Sequence, residues 1–327
     1  MIRLLAALLT CLLAVQAQAR CQGVDLADHL SPAQTAAMQR ELAQMPYATG
    51  NHWIARKGNR AIHVIGTMHV NDPRMGAVMR RLTPLVRAAD AVLLEVTDDE
   101  GRSFWSEPEK NIGLFVIRSG PTLADIMTGP AWELLARAAR AINLDPGRAA
   151  HIQPWFLSMM LSESFCGPRG IFAQNGLDTR IEMLAARARV PTGSLETVQS
   201  AISVLSRRSL GDQAQMLAYD LASSTGNDHT YVTLREAYFE ERMGSGMVIE
   251  KWQFIGHTGT DQRDRTRLWT NYVADILDTR NRAWIPRILS TPGNTVVVAV
   301  GAAHLPGRNG VLNLLEKAGY RLERAAF

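Results

Sequence analysis

Cysteine is scarce in this 327-residue chain, with 3 in all, and no Lys/Arg cluster, internal repeat or low-complexity tract interrupts it. Each absence excludes something. A formal net charge of +4 without a basic cluster or a nucleic-acid motif argues against nucleic-acid binding. Beyond residue 19 no apolar run is long enough for a bilayer-spanning helix, which excludes a membrane bundle. No H-E-x-x-H occurs, which excludes the common zinc peptidases that draw two histidines and a base from one helix. With 46% hydrophobic and 20% charged residues, the chain is globular and long enough to bury a large core.

What is present begins with a leader-like stretch. Arg3, an apolar run from Leu4 to Val15 and the A-x-A of Ala17-Gln18-Ala19 read as a signal peptide over 1–19. Cleavage there gives a periplasmic or secreted protein starting near Arg20. A lipid anchor at Cys21 is poorly served by Arg20 directly before it. Removing the leader leaves Cys21 and Cys166, which in an oxidising compartment are expected to pair, the alternative being two buried free thiols. Such a bridge is worth roughly 2–4 kcal/mol.

Two stretches far apart in sequence share one pattern. AIHVIGTMH (Ala61–His69) and TVVVAVGAAH (Thr295–His304) are β-branched runs that end in glycine, two residues and a histidine. A strand that stops at glycine can turn sharply and leave the histidine just past its end. In an open parallel sheet, ligands bind in the crevice outside the carboxyl ends of the strands. A third run, AVLLEV (Ala91–Val96), sets Glu95 at another strand end. The expectation is one site built from opposite ends of the chain.

The fold expected is α/β, with a mixed, mostly parallel sheet and a large helical insertion over about 101–290. An N-terminal arm over 20–50 holds a helix capped by Ser31-Pro32, and one domain follows over 51–327. A hairpin pairs 52–56 with 60–65 across Lys57-Gly58-Asn59. Asp72-Pro73 reads as a helix cap, with a helical restart at Thr83-Pro84, and strand 91–96 is expected to complete a β-α-β unit that crosses over right-handed and pairs in parallel. Helical spacing marks 123–127, 132–142, 155–164, 179–189, 199–223, 231–242 and 261–289. Ser194–Thr197 fits either a strand end or a helix cap. The chain closes with strand 295–300, helix 309–317 and strand 320–323.

GTMH, LLEV, GLDTRIEMLA, SLETVQS, LDTRNRAW and VAVGAAHLPGRNGVLNLLEKAGY resemble, in that order, motifs of the TraB/PrgY/GumN family, which includes the Tiki proteins. The resemblance runs from about Asn51 to the C-terminus and is most specific over Gly301–Tyr320. It implies a fold related to the ChaN and erythromycin-esterase type. It further implies a metal-dependent hydrolytic site, since Tiki members are regarded as metalloproteases and other relatives as inhibitors of peptide pheromones. The family's motif residues fall on Gly66, His69, Glu95, Gly301 and His304, with Arg280-Asn281 as its Arg-Asn pair.

On this reading His69, Glu95 and His304 hold a divalent Zn, Mn, Co or Fe ion, with an open position for an activated water. Glu95 is then a ligand or the general base; the alternative for each histidine is a structural bond to a backbone carbonyl. Arg280 either stabilises developing negative charge or forms an exposed ion pair; Asn281 orients a ligand or water. Asp178 and Glu196 lie in matched motifs or simply cap helices. Arg308 is a weak candidate for binding a carboxylate. The tryptophans on helical faces read as core. The resulting function is a secreted or periplasmic metal-dependent hydrolase of a peptide or small molecule, a peptidase first of all; the alternatives are a non-enzymatic binder or inhibitor of a small peptide signal and a haem- or iron-binding protein.

Overall fold

A computed structural model describes residues 23–161, 175–223, 228–256 and 261–327. The leader, both ends of the expected Cys21–Cys166 bridge and His257 lie outside the described residues.

Six strands form one sheet: β1 (His52–Lys57), β2 (Arg60–Thr67), β3 (Ala91–Leu94), β4 (Thr192–Ser194), β5 (Thr295–Gly301) and β6 (Arg321–Arg324). Their order is β4-β3-β5-β2-β1-β6. β4, β3, β5 and β2 run parallel, while β1 and β6 pair antiparallel at one edge. The β1–β2 hairpin closes Lys57 on Arg60, so its turn is Gly58-Asn59. Gly58 supplies the positive φ, 59°, that a two-residue hairpin turn needs.

Two expectations change here. β2 and β3 are parallel but do not touch, because β5 runs between them. β5 carries an unbroken buried aliphatic run from Val296 to Val300; a central position pairs both of its edges and covers both of its faces. The helical insertion is also interrupted: β4 leaves it to extend the sheet beside β3, after which Thr197 caps the next helix by accepting the Ser200 N–H at 3.1 Å. Strand end and helix cap are thus both present in Ser194–Thr197.

The longer helices are α1 (Pro32–Leu42), α2 (Met75–Ala88), α3 (Asp98–Trp105), α4 (Gly129–Ala141), α5 (Pro154–Leu161), α6 (Leu177–Ala188), α7 (Val198–Leu205), α8 (Leu210–Ser223), α9 (His229–Phe239), α10 (Met243–Gly256), α11 (Gln262–Val273), α12 (Arg280–Ser290) and α13 (Val311–Lys317). Alternate residues of β5 divide between the sheet's two faces. Val297 and Ala299 pack with Val78, Leu82 and Val86 of α2 and Ile181 and Ala185 of α6. Val296, Val298 and Val300 pack with Trp284 and Ile288 of α12 and Leu312 and Leu315 of α13. Each such aliphatic side chain, buried completely, contributes roughly 1.5–3 kcal/mol. The result is a sheet held rigidly between helical layers.

Several helices differ from their sequence signals. α2 begins at Met75, two residues beyond Asp72-Pro73, and Asp72 instead accepts the Arg74 N–H at 2.9 Å. Pro84 sits inside α2 and does not restart it. The stretch 199–223 splits into α7 and α8, and 261–289 splits into α11, a π-helical segment (Ala274–Thr279) and α12. α10 has no amphipathic signature because it is buried on several sides: Gly244 and Gly246 let it approach Ala48 and Ala237, where a Cβ would come within 2.7 and 2.9 Å. The arm helix α1 keeps its Ser31/Gln34 capping box and lies on α10, with Met38 against Val248 and Ile249. No helix among the described residues is long and apolar enough to cross a membrane.

Candidate active site

The register of β2 and β5 pairs Gly66 with Val300 and Thr67 with Gly301, so both G-x-x-H turns leave the sheet side by side at its carboxyl edge. β3 pairs Leu94 with Ala299, which sets Glu95 next to the second turn. Glu95 Oε1 accepts the Gly301 backbone N–H at 2.7 Å. Its Oε2 accepts from Arg280 Nη2 at 2.6 Å.

Arg280 enters from the start of α12, just after the π-helical segment. Its Nε donates to Glu196 Oε1 at 2.7 Å, and Nη2 reaches the same oxygen at 2.6 Å. The ion pair is therefore interior: only 12% of the Arg280 side chain and 7% of that of Glu196 is exposed. The exposed ion pair that sequence alone allowed is replaced by a cation clamped between two enclosed carboxylates. Trp284, one turn further along α12, lies beneath the guanidinium at 4.8 Å and beside the His304 ring at 4.5 Å. It is core and site floor together.

His304 is buried, and its tautomer follows from its neighbours. Asn281 donates its side-chain amide to the carbonyls of Asn309 (2.9 Å) and His304 (3.4 Å), which turns Oδ1 toward the imidazole. His304 Nδ1 then donates to that Oδ1 at 2.6 Å. The lone pair is left on Nε2, which accepts from Arg280 Nη1 at 3.2 Å and lies 3.8 Å from Glu95 Oε1. Asn281 thus orients the His304 ring.

His69 stands at the rim, its side chain 51% exposed, and its Nδ1 donates to Asp178 Oδ2 at 2.8 Å. Asp178 lies in the first turn of α6, whose N-cap is Gly176, so it is a histidine partner rather than a cap. The two segments meet closely: Leu177 donates its N–H to Met68 O, and a Cβ on Gly176 would lie 2.2 Å from that oxygen. Only glycine fits there. Arg308 is exposed and gives only its carbonyl, to Asn313 and Lys317.

The electrostatics separate the two histidines. Enclosure pushes His304 down to about 4, against the pull of Glu95, so it is neutral at physiological pH. The desolvation that its neighbours impose acts the same way on the half-exposed His69, but the Asp178 hydrogen bond and carboxylate, with Glu95 behind them, outweigh it and raise His69 to about 9. Enclosure would raise Glu95, yet facing His304, Arg280 and His69, with the Gly301 N–H, hold it down to about 2. Since His304 is uncharged at neutral pH, the guanidinium and His69 carry that effect. Glu196 is raised by its burial, against the pull of Arg280.

A family model of the TraB/PrgY/gumN family matches residues 51–324. The chain belongs to this family. Two relatives, the uncharacterized proteins YbaP of Escherichia coli (strain K12) and of Shigella flexneri, are each 23% identical over 273 residues, covering 81% of this chain and 94% of theirs. The TraB/PrgY/gumN match spans the sheet and every residue of the crevice, and begins just beyond the arm.

A divalent ion held by His69, Glu95 and His304 does not fit this arrangement. Both Glu95 oxygens are engaged, and the Arg280 guanidinium bonds Glu95 and His304 where a shared ion would stand. Among the described residues no three His, Cys, Asp or Glu side chains are disposed to hold a metal. The positive charge at the centre of this crevice is Arg280.

Proposed function

We propose that the crevice is a hydrolytic site for an amide or ester carbonyl, with His69 moving the proton and Arg280 supplying the positive charge. The observation that carries this reading is the His69–Asp178 hydrogen bond at the rim of the buried Glu95–Arg280–Glu196 cluster. A carboxylate on Nδ1 fixes the imidazole so that Nε2 is the nitrogen that exchanges protons with a reactant. A charged network kept away from water is costly for stability alone, and its place at the strand ends gives it an electrostatic use.

In this mechanism His69 acts from its neutral form, which its rise to about 9 makes the major one only at alkaline pH: water adds to the carbonyl carbon while its proton passes to His69 Nε2. The negative charge that forms on the carbonyl oxygen is met by the Arg280 field, strengthened by the low dielectric of the crevice. The carbon–nitrogen or carbon–oxygen bond then breaks, and the leaving atom takes the proton back from His69. Glu95, Glu196 and His304 hold the guanidinium in place throughout. The metal-dependent form that the resemblance implies requires Arg280 to withdraw from Glu95 and His304. Peptides are the substrates that the Tiki resemblance favours, and the leader-like stretch at 1–19 favours action outside the cytoplasm.

Cleavage of peptide and ester substrates by the parent, His69→Ala and Asp178→Asn tests the proposal. Loss of about 10²-fold or more in kcat in both variants, with their folds intact, supports it; undiminished turnover in His69→Ala overturns it.

A further inference from the structure

On the far side of the π-helical segment the helices form a separate pocket of about 370 Å³, open to solvent on one side. That volume lies in the range of ligand sites, roughly 300–1,000 Å³. Its walls are mostly apolar, with Trp155, Leu205, Met216, Leu268, Trp269 and Ile276. The wall continues directly into the crevice: Ile276 gives its carbonyl to Arg280 Nη1 at 3.4 Å.

Four carboxylates line this cavity, and they divide into two kinds. Asp275 is neutralised by Arg208 at 2.6 Å and Arg207 at 3.4 Å, and Asp212 by Arg267 at 2.9 Å. Asp220 and Glu250 have no salt bridge or hydrogen bond among the described residues. Arg265 donates to the Phe254 carbonyl at 2.6 Å and lies over the Tyr219 ring, acting on Asp220 without bonding it. Desolvation by the surrounding walls pushes both carboxyls up to about 7, Glu250 further burdened by Asp220, although Asp220 is exposed at the cavity's mouth and Glu250 is half-buried. Two carboxyls facing one apolar space lack a positive partner there.

We propose that this cavity binds an organic cation, an ammonium group carried on an aromatic or hydrocarbon body. The aromatic and aliphatic walls take the body, and Asp220 and Glu250 take the charge. The proposal stands on the cavity and its charges and is independent of the hydrolytic reading.

Calorimetric titration of the full chain at pH 8 with tryptamine, and with tryptophol as its neutral counterpart, tests it. Tryptamine is expected to bind about tenfold tighter or better, as a charge-assisted contact allows. Combining Asp220→Asn with Glu250→Gln should erase the difference by weakening tryptamine alone. Equal affinity for the two compounds in the parent, no tryptamine binding at millimolar concentration, or a preference that survives both substitutions overturns the proposal. The comparison in the parent needs no variant, so it stands even if the double variant fails to fold.

Discussion

Glu95 and Gly301, on adjacent strands and more than two hundred positions apart, are joined by a 2.7 Å hydrogen bond from backbone to carboxylate. That bond fixes the carboxylate at the carboxyl edge of the sheet with its second oxygen turned to Arg280. The crevice is therefore anchored to main chain that rigid β5 cannot easily move.

Removing the guanidinium should be expensive. Arg280→Met leaves Glu95 and Glu196 enclosed without a cation, and a loss of roughly 3–5 kcal/mol at pH 7 is expected. Protonation relieves buried like charges, so the deficit should shrink at pH 5. Urea unfolding of parent and variant at both pH values measures it.

Three histidines should each weaken the fold in acid. His63 is lowered to about 4 by enclosure and by the neighbouring charges of His52 and Arg56; His52 and His304 are lowered as well. For these three histidines the unfolded chain takes up protons near 6.5 while the folded chain refuses them, so their contribution is full above about 6.5 and declines toward 4. Asp220 and Glu250, raised to about 7, act in the opposite sense, and the raised His69 loses its contribution between about 6.5 and 9. His63→Asn, at the 3.2 Å contact with His52, should flatten part of that decline in unfolding free energy against pH.

Asp178→Asn should return His69 toward its ordinary value, because the carboxylate that raises it is gone. Following the His69 ring signals by NMR across the pH range reads this directly. A titration that stays near 9 in the variant would falsify the pairing.

Gly176→Ala tests the contact between the two turns. Its Cβ would meet the Met68 and His69 backbone at 2.2–2.4 Å, and backbone has little room to give. A loss of roughly 1–3 kcal/mol is expected, with His69 displaced from Asp178; a thermal melt and the His69 titration check the two effects separately.

Much of this was legible in the sequence because β-branched runs ending in glycine mark strand ends, and strand ends converge in a parallel sheet. His69, Glu95 and His304 were found that way. Asp178 and Glu196 stayed ambiguous, since an acid before or in a helix's first turn reads alike whether it caps the helix or reaches across the fold. α10 was missed because burial on several sides removes the period that reveals a surface helix. The neighbours of β5 were not legible at all: adjacency in a sheet is decided by which edges need cover, and no local pattern records it.

Hydrolysis at His69 proceeds without a metal ion in the proposed mechanism. It is tested most directly by mass spectrometry of a peptide library incubated in ¹⁸O-water with exhaustively chelated protein, whose metal content is verified in the same sample. The account predicts cleaved peptides carrying ¹⁸O in their new carboxyl groups, with at least about a hundredfold less in His69→Ala. No cleavage, or cleavage that returns only on adding a divalent ion, would contradict it.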